Sequence, residues 1–195
     1  MRTLLRSLMA VMGASCLALP LFAQADDGDF KPGTTHPTLD TGVLFGGDKL
    51  VTENYIIGGH STVYAGKGLF VDVGILHNLQ DTDWSFKGTA GIYTGFSTGY
   101  YDATFTRYPL DLVALYNQGR YHFGLGLTYH ANPKLDQNDH GPNVAFHDAV
   151  GGILEIQYRI FGFRYTNIRY KASGPCLDRC SYDGSSLGLF VNFVF

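Results

Sequence analysis

The sequence predicts an all-β fold, an eight-stranded antiparallel up-and-down transmembrane β-barrel. Three observations predict it. Strand-like runs fill the chain after residue 38. The connectors between them are alternately short and long. Along each run, apolar residues alternate with small or charged ones. Composition agrees: 25 Gly, 13 Tyr and 14 Phe accompany only 16% charged residues.

The chain opens on a secretory signal over residues 1–25. Arg2 and Arg6 give a positive n-region, Leu8 to Phe22 an apolar h-region, and Ala23-Gln24-Ala25 an A-x-A cleavage site. The apolar run is shorter than the roughly 20 residues of a spanning helix. Cys16 lacks the preceding leucine of a lipoprotein signal. Residues 26–37 (DDGDFKPGTTHP) read as a flexible lead-in, and residues 38–195 as the barrel domain. With both n-region arginines removed, Lys+Arg falls from 14 to 12 against 17 acids, a formal charge of −5. Such a chain, without a basic cluster, gives no reason to expect nucleic acid.

Eight runs follow, at 39–47, 62–77, 82–96, 102–116, 120–131, 147–160, 162–172 and 185–195, with a further short hairpin at 50–58. Most approach the 9–11 residues of a tilted membrane-crossing strand. The connectors at 78–83, 117–120 and 161–162 are short. Those at 48–61, 97–101, 132–146 and 173–184 are longer or richer in turn residues. Short periplasmic turns and long external loops are the asymmetry of outer-membrane barrels, and an even strand count leaves both termini on the periplasmic side.

Each run can be read by face. Tyr121, Phe123, Leu125, Leu127 and Tyr129 oppose His122, Gly124, Gly126, Thr128 and His130. Val150, Leu154, Ile156 and Tyr158 oppose Ile153, Glu155, Gln157 and Arg159; Leu69, Val71, Val73 and Ile75 oppose Phe70, Asp72 and Gly74. A soluble sandwich alternates too, but turns its apolar face inward. Here tyrosines bracket the apolar stretches and charges occupy the other face, which suits lipid outside and a polar lumen. Pro109 cannot donate to a ladder and predicts a bulge. In GFRYTNIRYK the apolar phase slips near Asn167, with Arg164 inside and Arg169 unassigned.

The inward charges Asp72, Lys87, Asp111, Glu155, Arg159 and Arg164 form a predicted lumen network, with His122 near it. An eight-stranded barrel is just wide enough to be filled by side chains. The expectation is therefore a structural plug, with a narrow pore as the alternative. Cys176 and Cys180, in GPCLDRCSYDG, suit a local disulfide in an oxidising compartment. Two thiols alone do not complete a zinc shell. Asp136, Asp139, His140, His147 and Asp148 in the third long loop could hold a divalent cation, though such sets are usually solvated loop; no metal or cofactor is expected.

The ending SLGLFVNFVF completes the pattern. With the signal, the strand count and the loop asymmetry, it makes the mature chain resemble the small outer-membrane β-barrel proteins of Gram-negative bacteria, the OmpA-, OmpX- and OmpW-like class. The stretches FTRYPLDLVALY, GLGLTYHANPKLD and DGSSLGLF are similar to pieces of poorly characterised members. The resemblance implies location in the outer membrane, among its lipid and lipopolysaccharide. It implies that Leu187, Leu189, Val191, Phe193 and Phe195 form an assembly signal, read by the barrel-assembly machinery, with the last strand closing on the one near Leu39–Gly47. A monomer is expected, acting as a structural or interaction protein through its external loops. Similar barrels include lipid A deacylases and palmitoyltransferases, but no triad is evident around His60, His130, His140 or His147, so no enzyme is expected.

Overall fold

A computed structural model describes residues 31–54, 60–97, 103–137, 142–173 and 181–195. These residues form strands throughout: β1 Thr35–Gly46, β2 Lys49–Asn54, β3 His60–Tyr64, β4 Gly68–Asn78, β5 Trp84–Phe96, β6 Thr104–Gln118, β7 Tyr121–Asp136, β8 Val144–Ala145, β9 Ala149–Tyr158, β10 Phe161–Asn167, β11 Arg169–Lys171, β12 Ser181–Asp183 and β13 Ser186–Val194. Eight make the wall, in the order β6-β5-β4-β1-β13-β10-β9-β7, and β6 pairs back onto β7, which closes the ladder. Closure leaves no sheet edge to pair elsewhere. The first and last strands meet as expected, in continuous antiparallel register from Thr38↔Val194 to Gly46↔Ser186. The start of β1, the end of β13 and the three short turns lie at one end, called lower below.

The wall is inverted relative to a soluble barrel. Leu110, Leu112, Leu125, Leu127, Val150, Leu154, Ile156 and Phe163 are all more than half exposed. Tyrosines bound this belt above and below: Tyr108 and Tyr116 on β6, Tyr129 and Tyr121 on β7. Eight residues separate each pair, about 27 Å along a strand, or roughly 20 Å vertically at a tilt of about 40°. That is close to the ~25 Å apolar band of a membrane barrel. At the lower girdle the rings of Trp84 and Tyr116 lie 5.4 Å apart, and those of Tyr121 and Tyr158 5.0 Å.

Four details depart from the sequence reading. β1 begins at Thr35, inside the expected lead-in, because Thr35–Pro37 pair with Ile75–His77. The run at 62–77 divides: its first residues join β2 in a hairpin above the wall, and β4 starts at Gly68, where φ is +158°. Pro109 stays in register opposite His130; the irregularity lies between Thr106 and Tyr108 on β6, opposite Asn132, whose φ is +47°. The phase does not slip at Asn167. Ile168, Tyr170 and Ala172 continue the inward face of Arg164 and Thr166, but the strand has left the belt, so outward residues become polar and inward ones apolar.

That change marks an apolar cap. Val63, Ala65, Ala103, Phe105, Leu135, Phe146, Ile168, Tyr170 and Ala172 pack over the upper mouth, with the β2–β3 and β11–β12 hairpins contributing. A smaller cluster of Leu76, Val113, Leu115, Ile153 and Val194 fills the lower lumen. The polar network lies between them.

Candidate functional site

Arg164 is the centre of the lumen. It enters from β10, and its guanidinium is fully buried. Nε donates to Glu155 Oε1 at 2.7 Å, and Nη2 to Asp40 Oδ2 at 3.1 Å. Nη1 donates to Tyr93 OH at 2.6 Å and to Asp72 Oδ2 and Asp111 Oδ2, both at 3.1 Å. These acceptors come from β9, β1, β5, β4 and β6, so one side chain ties six strands together. A planar fork of N–H groups can reach partners on several sides, which a lysine's single ammonium cannot.

Lys87, from β5, supplies the second cation, with Nζ 2.9 Å from both Asp40 Oδ2 and Glu155 Oε2. Neutral donors complete the cage. Gln157 Nε2 donates to Glu155 Oε2 at 3.0 Å, Tyr93 OH to Asp72 Oδ2 at 3.1 Å, and Asn192 Nδ2 to Asp40 Oδ1. Below and beside it, Phe190 faces both cations, 5.3 Å from Lys87 Nζ and 5.2 Å from Arg164 Cζ. Four carboxylates meet two cations here, a formal excess of two negative charges. Buried ions are tolerated only when paired and hydrogen-bonded, and this density of bonds meets that condition.

The backbone makes room for the cage at Gly91. A Cβ there would stand 2.0 Å from Asp72 Oδ1 and 2.2 Å from Val71 O. Gly91 is thus an inward position that only hydrogen can occupy without moving Asp72.

Of the predicted network, Asp72, Lys87, Asp111, Glu155 and Arg164 are brought together. Arg159 is not. It occupies the turn between β9 and β10 with φ +54°, and its side chain is exposed, 6.0 Å from the Tyr158 ring. It lies one residue past the end of β9, where the alternation that would turn it inward no longer applies. Asp40, Tyr93, Gln157 and Asn192 were not anticipated as members. Asp40 lies in the strand run at 39–47 and Tyr93 in that at 82–96, and the inward phase of each is fixed by its pairing with neighbouring strands. His122 is buried near the lower rim, with Nδ1 2.9 Å from Asn117 Oδ1.

The assembly-signal residues keep their predicted phase only in part as a lipid-facing row. Leu187, Leu189 and Phe195 are exposed and Val191 is half-buried. Phe193, opposite Leu39, is only 8% exposed. Phe190 and Val194, at alternate positions to the outward row, are buried in the lumen.

Arg107 and His130 belong to the cap. Arg107 Nη1 donates to Ala65 O at 2.5 Å, and its guanidinium lies 5.1 Å from the Phe105 ring. His130 Nδ1 is 2.6 Å from Tyr170 OH. In the third loop, Asp148 accepts from Tyr129 OH and from Asn132 N, which together hold its carboxyl below the usual range. Asp136 faces Lys134 at 3.4 Å. Asp136 and Asp148 are thus engaged elsewhere, and the described residues hold no group of three metal-ligating side chains. Cys176, Cys180, Asp139 and His140 lie outside the described residues, as does the signal.

No family model matches the chain, and no curated protein matches it in sequence. Solved structures that match do so at low identity. Neisserial surface protein A is 10% identical with a TM-score of 0.46, covering 83% of this chain and 97% of that one. Ail, the attachment invasion locus protein of Yersinia pestis, is 13% identical with a TM-score of 0.40, covering 84% and 100%. The N-terminal β-barrel domain of OprF from Pseudomonas aeruginosa is 13% identical with a TM-score of 0.34, over the same shares. The assignment of fold rests on the closed ladder itself.

Proposed function

We propose that the protein is an integral outer-membrane barrel with a lumen sealed by side chains, acting as a structural or interaction protein through its upper hairpins. One observation carries this reading: the distribution of polarity is inverted, with a bare apolar belt outside and the Arg164 cage inside. Exposing that belt to water would waste the main driving force of folding, since each exposed Leu or Phe forfeits about 1.5–3 kcal/mol of burial. Lipid removes the penalty, and a closed barrel satisfies every wall N–H and C=O, as lipid requires.

The start of β1 and the end of β13 then face the periplasm, and the cap with the β2–β3 and β11–β12 hairpins faces outward. Surface hairpins on a rigid wall are where binding resides in such a scaffold. Fractionation of expressing cells tests the reading. The chain should be recovered with outer-membrane vesicles and run as a compact, heat-modifiable band. Recovery as a water-soluble periplasmic protein would overturn it. A lipid A-modifying enzyme predicts a gained or lost acyl chain, and we expect lipid A of unchanged mass with and without the protein.

A further inference from the structure

Arg159, displaced from the lumen, has a neighbour of its own kind. Its backbone N–H donates to Arg120 O at 3.1 Å, which joins the β9–β10 turn to the β6–β7 turn. Both arginine side chains are exposed at the lower rim, and neither forms an ion pair among the described residues. Two exposed cations thus stand on adjoining turns tied through their backbones. Above them, toward the belt, lies an aromatic shelf: Arg159 faces Tyr158, whose ring is 5.0 Å from that of Tyr121, and Tyr121 stacks with Phe123. The next short turn carries Asp81 and Asp83, which confines the basic rim to these two turns.

Above the shelf the belt has a depression. Phe86, Leu112, Ala114, Leu125 and Leu127 line a groove of about 380 Å³. It begins four residues above Tyr121, about 13 Å along the strand. That lies within the ~15 Å that one leaflet contributes to the hydrocarbon core.

We propose that this rim and groove bind one anionic phospholipid of the periplasmic leaflet: Arg120 and Arg159 hold its phosphodiester, and an acyl chain crosses Tyr121 and Phe123 into the groove. The proposal rests on the membrane reading above. Guanidinium groups match phosphate geometry by paired N–H donation, and tyrosines favour the interface where headgroup meets chain. The charge balance selects a lipid with net negative charge over a zwitterion.

Native mass spectrometry of the membrane-extracted protein in neutral detergent tests it, with phosphatidylglycerol, phosphatidylcholine of the same chains, and deacylated glycerophosphoglycerol as probes. The wild type should retain one phosphatidylglycerol in preference to phosphatidylcholine, and should not retain the deacylated headgroup. An Arg120→Gln/Arg159→Gln double variant should bind it about tenfold less well or worse. Arg169→Gln, at the upper rim, should not change it. Heat-modifiability of each variant confirms that it is folded. Equal retention of the two lipids, undiminished binding by the double variant, or equal loss in Arg169→Gln would overturn the site. Retention of the deacylated headgroup would overturn the groove's part in it. Recovery of the protein as a soluble species would overturn the membrane reading and this site with it, whereas insertion without lipid preference removes the site alone.

Discussion

Inside the barrel, single atoms decide. Gly91 and Gly88 lie on one strand but on opposite faces. Gly91 abuts Asp72 Oδ1 and Val71 O, whereas a Cβ at Gly88 meets nothing within 4 Å. Gly91→Ala should therefore cost about 1–3 kcal/mol by overpacking, and Gly88→Ala should stay within about 0.5 kcal/mol of wild type. Urea unfolding in lipid vesicles, followed by tryptophan fluorescence, measures both; equal effects would mean that Asp72 is not held where the cage requires. Arg164 is the larger test. Arg164→Ala strands the carboxylates of Asp40, Asp72, Asp111 and Glu155, and breaking a buried ion pair costs about 3–5 kcal/mol. Arg164→Lys keeps the charge but cannot reach five acceptors on as many strands, so its stability should fall between the two.

Strands were legible where one rule governs them from end to end. The phase of β4, β7 and β9 through the belt follows from alternation alone, because lipid on one side and a polar lumen on the other enforce it. Legibility failed where the surroundings change along a strand. At Asn167 the outside becomes water and the inside becomes the apolar cap, so an unbroken alternation looks like a slip. At Arg159 a left-handed residue makes the turn, two residues before the Phe161-Gly162 pair that reads as the connector and that the structure places in β10. Asp40 was invisible because the pairing that turns it inward joins it to Asp72 and Asn192, far away in sequence. The last strand carries two separable roles. Phe195 N donates to Pro37 O at 3.0 Å, and Phe195 O lies 3.1 Å from His36 Nδ1, so the residue fastens the seam through its backbone. Its ring is the expected assembly tag. Phe195→Ala should therefore refold into detergent micelles at a rate within about twofold of wild type, yet reach the outer membrane of cells in much reduced yield. Deleting the residue should slow both. Equal yields in cells for wild type and Phe195→Ala would remove the tag.

Taken as a whole, the molecule carries fillings in series along its axis. The cap closes the upper mouth with Phe105, Phe146 and Tyr170 in edge-to-face contact, ring centroids 5.5 Å apart for Phe105 with each partner. Below it the Arg164 cage spans the lumen from wall to wall, and below that the Leu76–Leu115–Val194 cluster precedes a polar lower rim. A path for ions must cross all of these. The cage is the hardest to open, because displacing Arg164 breaks bonds to five strands at once, whereas the β2–β3 hairpin contributes Val63, with Leu50 and Val51 packed against it, to the apolar cap. Planar-bilayer recordings should therefore show no steady conductance for the wild type. Replacing residues 49–64 by a short Gly-Ser linker should leave the barrel folded and still silent, since the cage and the lower cluster remain. Steady current through the shortened protein would mean that the hairpin alone makes the seal. Current through the wild type would overturn the sealed lumen altogether and make the cage the lining of a narrow, cation-preferring path, in keeping with its excess of carboxylates.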